Sequence, residues 1–468
     1  MMQQRSPALQ LLIIGLVAFL LRLSMILLFS EFRNPAVYEH LQIAENLAQG
    51  RGFITNFMGT WGYTSVEAPA IPVLLGACFR GFGEGDAAYF TCQAVLALFS
   101  SASCALLARL GSTLFTSNVG WAAGIISACY PALVVSPSRI QVVSLSTFLI
   151  VAAAAAVFDS VRRPNRMSWI WMGRIFGFAA LVDPILLVLM PASVLYILWQ
   201  GRGSRKESLR CFALVVLITG SILAPWLVRN WIVHHRFVPV KSTFWLAFWQ
   251  GNNPSSEGTD KVFANREEMG APPFPWHLKA HREWLRRARD GVTDINSKMP
   301  DSMLQKVIRL AEIDKIEVFR EEILQAIAAD PARYLRLCAR RLKYFILFDE
   351  TNPMTLSQLY RWPRILLLSV FAWSTWIFRK RWRELSVVYL FLIAATLFHS
   401  FTIVAPRFQI AFDPLLILIA SAVIPAARPI SAACELLIRA FDLKALGACL
   451  LLAGCRPIGK PCQSRVSN

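Results

Sequence analysis

Two carboxylates, Glu39 and Glu67, stand in the polar stretch from Glu31 to Pro72, EFRNPAVYEHLQIAENLAQGRGFITNFMGTWGYTSVEAPAIP. A carboxylate held at a membrane surface can take the proton of an acceptor hydroxyl, or help to hold a divalent metal. Of the two, Glu67 is the candidate metal ligand. The plain alternative for each is a solvated loop residue, and Glu31 and Glu45 are weaker candidates of the same kind. Two arginines could serve the same chemistry from the other side. Arg229, with Asn230 beside it, ends the apolar run in APWLVRNW, and Arg407 lies in VAPRFQIAFDP. An arginine at headgroup depth can bind a lipid phosphate through two parallel hydrogen bonds. It can equally be a side chain snorkelling to the interface. Asp183, in ALVDPILL, is either a turn residue before Pro184 or part of a site that opens outward.

Several elements must hold these groups. Asn34-Pro35 reads as a helix start, and Gly50 and Gly52 as its stop. Between them Val37, Leu41, Ala44 and Ala48 share one face, with Glu39, Gln42, Asn46 and Gln49 on another. That predicts a short amphipathic helix on the membrane surface with its carboxylate and amide groups facing water, followed by a loop, GRGFITNFMGTWGYT. Apolar runs long enough to span, or nearly so, fall at 8–30, 87–109, 117–137, 141–160, 168–182, 184–200, 210–232, 363–378, 385–403 and 408–427. The basic loops 159–166, 201–210 and 379–383 should be cytoplasmic. All three land inside if the N-terminus is inside and the short run 69–83 does not cross, so 69–83 is expected to be interfacial or re-entrant. The reading divides the chain into an anchor helix (1–30), a first external loop carrying the catalytic platform (31–86), a bundle (87–232), a large external loop (233–362), C-terminal spans (363–427) and an apolar, basic tail (428–468). Within the large loop, 302–348 reads as an amphipathic helical region whose basic, aromatic end suits a headgroup layer.

Composition narrows the class. The chain is 56% hydrophobic with a formal charge of +19, and much of that charge sits in short loops between apolar runs, which speaks for membrane orientation rather than nucleic acid. Its ten cysteines lie mostly in apolar segments, so no disulfide framework or zinc pattern is expected. There is no Walker loop, dinucleotide fingerprint or GxSxG elbow, and His234-His235 reads as interfacial. The spans are nearly free of charge apart from Arg22, whose helix must pack so that it reaches a polar partner. Polar groups gathered at one face favour surface chemistry on a lipid-linked molecule over transport through the bundle.

The ordered set YEHLQIAENLAQGRGF, EAPAIPVLLGACFRGFG, PWLVRNW, FWQGNNPSSEGTD, AEID, DPARYLRLCARRLKYF and PRFQIAFDPLLILIAS resembles bacterial GT-C glycosyltransferases, of the dolichyl-phosphate-mannose-protein mannosyltransferase-like and aminoarabinose-transferase-like kinds. The resemblance covers about 8–427. It implies an all-α polytopic membrane protein, a GT-C bundle of about 10–12 transmembrane helices with external loop helices. It further implies inverting transfer of a hexosyl or pentosyl group from a polyisoprenyl-phosphate donor to an envelope acceptor (protein, lipid or glycan). The expected place is the external, periplasmic face of a bacterial inner membrane. No nucleic acid is implied as a partner, and no cofactor beyond an optional divalent metal. The family's acidic residue opens a D-x-x-x-Y pattern; here that position is Asn34, and Tyr38, an expected substrate contact, is followed by Glu39. Either Glu39 or Glu67 takes the base role, or the protein is a GT-C-fold membrane protein without activity. A flippase of lipid-linked glycans is the other alternative. Arg229 and Arg407 match basic positions implied to hold the lipid phosphate, and Asn230 and Asp183 are expected to join them in binding the donor.

Overall fold

The computed structural model describes residues 7–33, 35, 37, 39–200, 205–263, 283–284, 287 and 291–424. The tail and most of 264–290 lie outside the described residues, as do Asn34, Tyr38 and the side chain of Glu39.

The described chain is mostly helical, with two short two-stranded antiparallel sheets. Helix α1 (Pro7–Phe29) packs on α4 (Asp86–Leu114) and α5 (Ser117–Cys129). Between them lie α2 (Glu39–Ala48) and α3 (Ala70–Phe82), with the strands β1 (Ile54–Phe57) and β2 (Thr60–Tyr63). A short α6 (Pro131–Val135) leads to α7 (Val143–Arg162), α8 (Arg166–Val182), α9 (Leu189–Gln200) and α10 (Arg205–His234). The long loop carries α11 (Phe244–Asn252), β3 (Lys261–Phe263) paired with β4 (Val292–Asp294), α12 (Asp301–Val307), α13 (Glu312–Ala329), α14 (Pro331–Ile346) and α15 (Pro353–Leu356). Helices α16 (Gln358–Ile377), α17 (Trp382–Phe401), α18 (Pro406–Ile410) and α19 (Asp413–Ala420) finish the described chain.

Among the described residues, five helices are long and apolar enough to cross a membrane: Pro7–Leu28, Asp86–Leu114, Val143–Arg162, Lys206–His234 and Arg379–Phe401. The pair Ser117–Cys129 and Pro131–Ser138, bent by 57°, makes a sixth if counted as one span. The expected spans at 184–200 and 408–427 are apolar helices of fewer residues, as is Ala70–Phe82. At 13 residues α3 is about 20 Å long, short of the hydrocarbon thickness. Small residues let the helices approach. On α8, Gly173 and Gly177 face Ile218 and Ile222 of α10, and a Cβ at either would come within 2.8 Å of those side chains. Arg22 finds the polar partners its burial demands: it donates to Ser100 Oγ at 2.7 Å and to the carbonyl of Ala128 at 3.2 Å.

The ends of the bundle are segregated. At one end Arg109 pairs with Asp159 at 2.7 Å, Arg162 donates to Thr113 O at 3.1 Å, Arg381 donates to Leu114 O at 2.7 Å, and Gln200 meets Arg383 O. Two of the basic loops, 159–166 and 379–383, therefore share an end, and α9 ends there at Gln200. The first loop, Asp183, the long loop and Arg407 gather at the other end.

Two local expectations change. The helix start expected at Asn34-Pro35 falls later: Pro35 and Val37 are not helical and α2 begins at Glu39. The stretch expected as a loop after Gly52 forms the β1–β2 hairpin, whose turn residues Met58 and Gly59 both have positive φ, 48° and 87°. That hairpin covers the amides of α2 expected to face water. Gln42 Oε1 accepts from Thr55 Oγ1 and from Asn56 N at 2.7 Å, and Asn46 Nδ2 donates to Ile54 O at 2.9 Å. An open strand edge needs partners, and the polar face of α2 supplies them. The helical region expected at 302–348 comprises three helices, α12, α13 and α14, with breaks before Glu312 and at Asp330-Pro331, where Asp330 caps α14 through Arg333 N at 2.8 Å.

Candidate functional site

Glu67 sits in the connection from β2 to α3. The preceding residues Thr64, Ser65 and Val66 are buried. Alongside them runs the segment that returns from α10. Ser242 N donates to Ser65 O at 2.8 Å and Thr243 Oγ1 to Val66 O at 3.1 Å. The returning segment is itself anchored on α10, through Trp226 Nε1 to Val240 O at 3.0 Å and Asn230 Nδ2 to Val238 O at 3.1 Å. This pairing sets Lys241 opposite Glu67, with Nζ 2.8 Å from Oε2. From α2, His40 Nδ1 stands 4.0 Å from the same oxygen.

Asp183 and Arg407 complete the group. Asp183 accepts from Ile185 N at 3.3 Å, so its turn-capping role is real, and it lies within electrostatic reach of Lys241, Arg407 and Glu67. Arg407 is exposed at the start of α18, its guanidinium 5.0 Å from the centre of the Phe408 ring. Burial acts against the Glu67 carboxylate, but Lys241, His40 and Arg407 outweigh it and hold the group below the ordinary carboxylate range. Burial likewise acts against the Lys241 ammonium; Glu67 and Asp183 overcome it and raise the group. For Asp183 burial dominates and raises the carboxyl, Lys241 opposing.

The structure thus brings three expected residues together, Glu67, Asp183 and Arg407. It adds two that sequence reasoning passed over, Lys241 and His40. Lys241 had a signal: a lone lysine flanked by Val238, Val240 and Thr243 just after a span. His40 had none, since only the crossing of α2 over α3 turns it toward Glu67. The metal role expected for Glu67 does not fit. Lys241 already occupies Oε2, and among the described residues no group of three or more His, Cys, Asp or Glu could hold a metal ion.

Arg229 and Asn230 are placed elsewhere. Arg229 donates to Thr64 O at 2.6 Å, Ser65 Oγ at 3.0 Å, Asn230 Oδ1 at 3.0 Å and Phe53 O at 3.2 Å, and lies over the rings of Phe53 and Trp226. Asn230 is fully buried and accepts from Ser65 Oγ at 2.8 Å. Both hold the first loop in place. Glu39 opens α2 next to His40, so its backbone lies beside the cluster.

Residues 66–228, about a third of the chain, match the model of the dolichyl-phosphate-mannose-protein mannosyltransferase family. The match includes Glu67 and Asp183 and stops short of Lys241 and Arg407. No curated protein matches the chain. Among solved structures, the archaeal oligosaccharyltransferase AglB from Archaeoglobus fulgidus, in complex with an inhibitory peptide and a dolichol-phosphate, aligns with TM-score 0.50 at 13% identity, over 95% of this chain and 55% of that one. ArnT from Cupriavidus metallidurans, bound to undecaprenyl phosphate, aligns with TM-score 0.39 at 12% identity, over 88% and 77%. The chain spans about half the length of the oligosaccharyltransferase. It is a multi-pass membrane protein with the GT-C glycosyltransferase fold, and its residues 66–228 match the dolichyl-phosphate-mannose-protein mannosyltransferase family.

Proposed function

We propose that the protein transfers a sugar from a polyisoprenyl-phosphate donor to an envelope acceptor, a protein, lipid or glycan, at the membrane face that carries the first loop. The observation that carries this reading is the Glu67–Lys241 pair with Asp183, His40 and Arg407 gathered at one end of an apolar bundle. Matches to a lipid-phosphate-sugar family and to the fold of such enzymes support it. The charge pattern of the loops supports reading that face as the external one, periplasmic in a bacterial inner membrane.

In this reading the donor phosphate, anchored by its lipid, approaches Arg407 and Lys241. Arg407 is exposed and donates no hydrogen bond among the described residues, so its guanidinium is free for phosphate oxygens. Glu67 orders the phosphate side by fixing Lys241, where a metal had been the expectation. The acceptor oxygen attacks the anomeric carbon as the bond from that carbon to the phosphate oxygen breaks. The electron pair leaves with the lipid phosphate, whose developing charge the two cations stabilise, and in-line geometry inverts the centre. Glu39, at the start of α2, takes the acceptor proton. A second reading gives that proton to Asp183, because its raised pKa makes it the better acceptor.

Membranes containing the protein, incubated with a panel of radiolabelled polyprenyl-phosphate sugars, should move label into a protein, lipid or glycan fraction. Glu39→Gln should slow transfer by about 10²–10⁴-fold. If Glu39→Gln were fully active and Asp183→Asn were not, the proton would belong to Asp183.

A further inference from the structure

Helix α13 reaches back from the long loop and grips the first loop at two points. In its first turn Glu312 accepts from Thr64 Oγ1 at 2.6 Å and from Ser65 N at 3.0 and 3.3 Å, its side chain only 9% exposed. One turn on, Lys315 is fully buried and donates to Phe57 O at 2.7 Å, Met58 O at 2.8 Å and Thr60 Oγ1 at 2.9 Å. The anion meets donors and the cation meets acceptors, so each charge matches the polarity of the chain it holds. Phe57 and Met58 pack against the apolar cluster of Val307, Ile316 and Phe319 beneath the hairpin. Ser65 is tied in turn to α10, its Oγ 2.8 Å from His234 Nε2, and His234 Nε2 lies 3.8 Å from Glu312.

Burying charge against neutral partners is costly unless every contact is made. Burial lowers the Lys315 ammonium from its ordinary range, against the pull of Glu312. Two buried charges spaced three residues apart on one helix, both aimed at the nine residues from Phe57 to Ser65, indicate that the position of this stretch matters. Ser65 is two residues from Glu67, about 7 Å along an extended backbone, so a shift at Ser65 reaches the carboxylate. The sequence marked this place only as AEID.

We propose that Glu312 and Lys315 are positioning residues, through which the long loop fixes the segment carrying Glu67 against Lys241. The effect on turnover rests on the function proposed above; the clamp itself does not. The test uses the full-length protein in lipid nanodiscs, as wild type, Glu312→Gln, Lys315→Met and the milder Thr64→Val. Amide hydrogen exchange should rise about tenfold or more at Ser65 and Val66 in Glu312→Gln, and less in Thr64→Val, with 86–162 unchanged. In the transfer reaction kcat per folded protein should fall about tenfold in Glu312→Gln, with donor KM within about twofold and partial recovery in Glu312→Asp. Unchanged exchange at 64–66, or a rise spread evenly over the protein, would overturn the clamp. A change in donor KM alone would overturn its role in turnover. If the wild type transferred no sugar, the functional reading would fall, and the exchange result would still decide the clamp.

Discussion

A lysine ammonium 2.8 Å from a carboxylate changes what that carboxylate can do. Glu67, held below its ordinary range, is ionised at neutral pH and a poor proton acceptor, which is why the base proposed above is Glu39 or Asp183. The pair also has a defined pH window. The Glu67 contribution to stability is present above the ordinary carboxylate pKa and is lost as pH falls through its depressed one. The Lys241 contribution is complete below the ordinary ammonium pKa and is lost as pH rises through its raised one. Both are present across neutrality. Lys241→Met removes the largest opposition to burial, leaving His40 and Arg407, and raises Glu67, so the acidic limb of the pH–rate profile should move to higher pH; an unmoved limb would separate Glu67 from turnover. The two arginines should part company. Arg407→Ala should raise donor KM roughly tenfold, because one charge-assisted bond is lost. Arg229→Ala should instead lower stability by about 2 kcal/mol, since it leaves buried carbonyls unpaired. Donor kinetics and thermal melts of both variants check this. Glu67, Asp183 and Arg407 were legible in the sequence as single charges set among apolar residues close to a proline, in EAP, VDP and APR. Lys241 and His40 were not, because only backbone pairing at 65–66 and the crossing of α2 over α3 turn them to the same oxygen.

Elements were legible to different degrees. The long apolar helices follow from hydropathy alone, and α3, at 13 residues, is shorter than a full span. The β1–β2 hairpin was missed because Met58 occupies a positive-φ turn position that favours Asn or Gly, so the turn signal reduces to Gly59. The polar face of α2 was misread for a related reason: a face of amides looks the same whether it meets water or a strand. The α8–α10 contact depends on residues too small to stand out, Gly173 and Gly177. Gly177→Leu would force a side chain into Ile222, where a Cβ alone comes to 2.8 Å, and should destabilise the protein by about 1–3 kcal/mol. A melting temperature equal to that of the wild type in detergent would show that α8 and α10 can part without loss.

At the scale of the whole molecule the charge asymmetry of the loops and the geometry of the bundle agree on which segments share an end. The sequence alone could group them because lysine and arginine cluster in short loops. It could not show that the long loop folds back onto the first one, since Glu312 and Ser65 are 247 residues apart. Single-cysteine labelling should find position 255 reactive in intact cells and position 163 only after permeabilisation; the reverse pattern would invert the orientation. The most direct measurement is single-turnover sugar transfer by the purified protein from a labelled polyprenyl-phosphate sugar, following sugar and lipid phosphate together. The expected result is one lipid phosphate released per sugar transferred, with the anomeric centre inverted and donor KM raised about tenfold in Arg407→Ala. Donor left intact across the whole panel of sugars, or donor KM unchanged in Arg407→Ala, would contradict the assignment of this site.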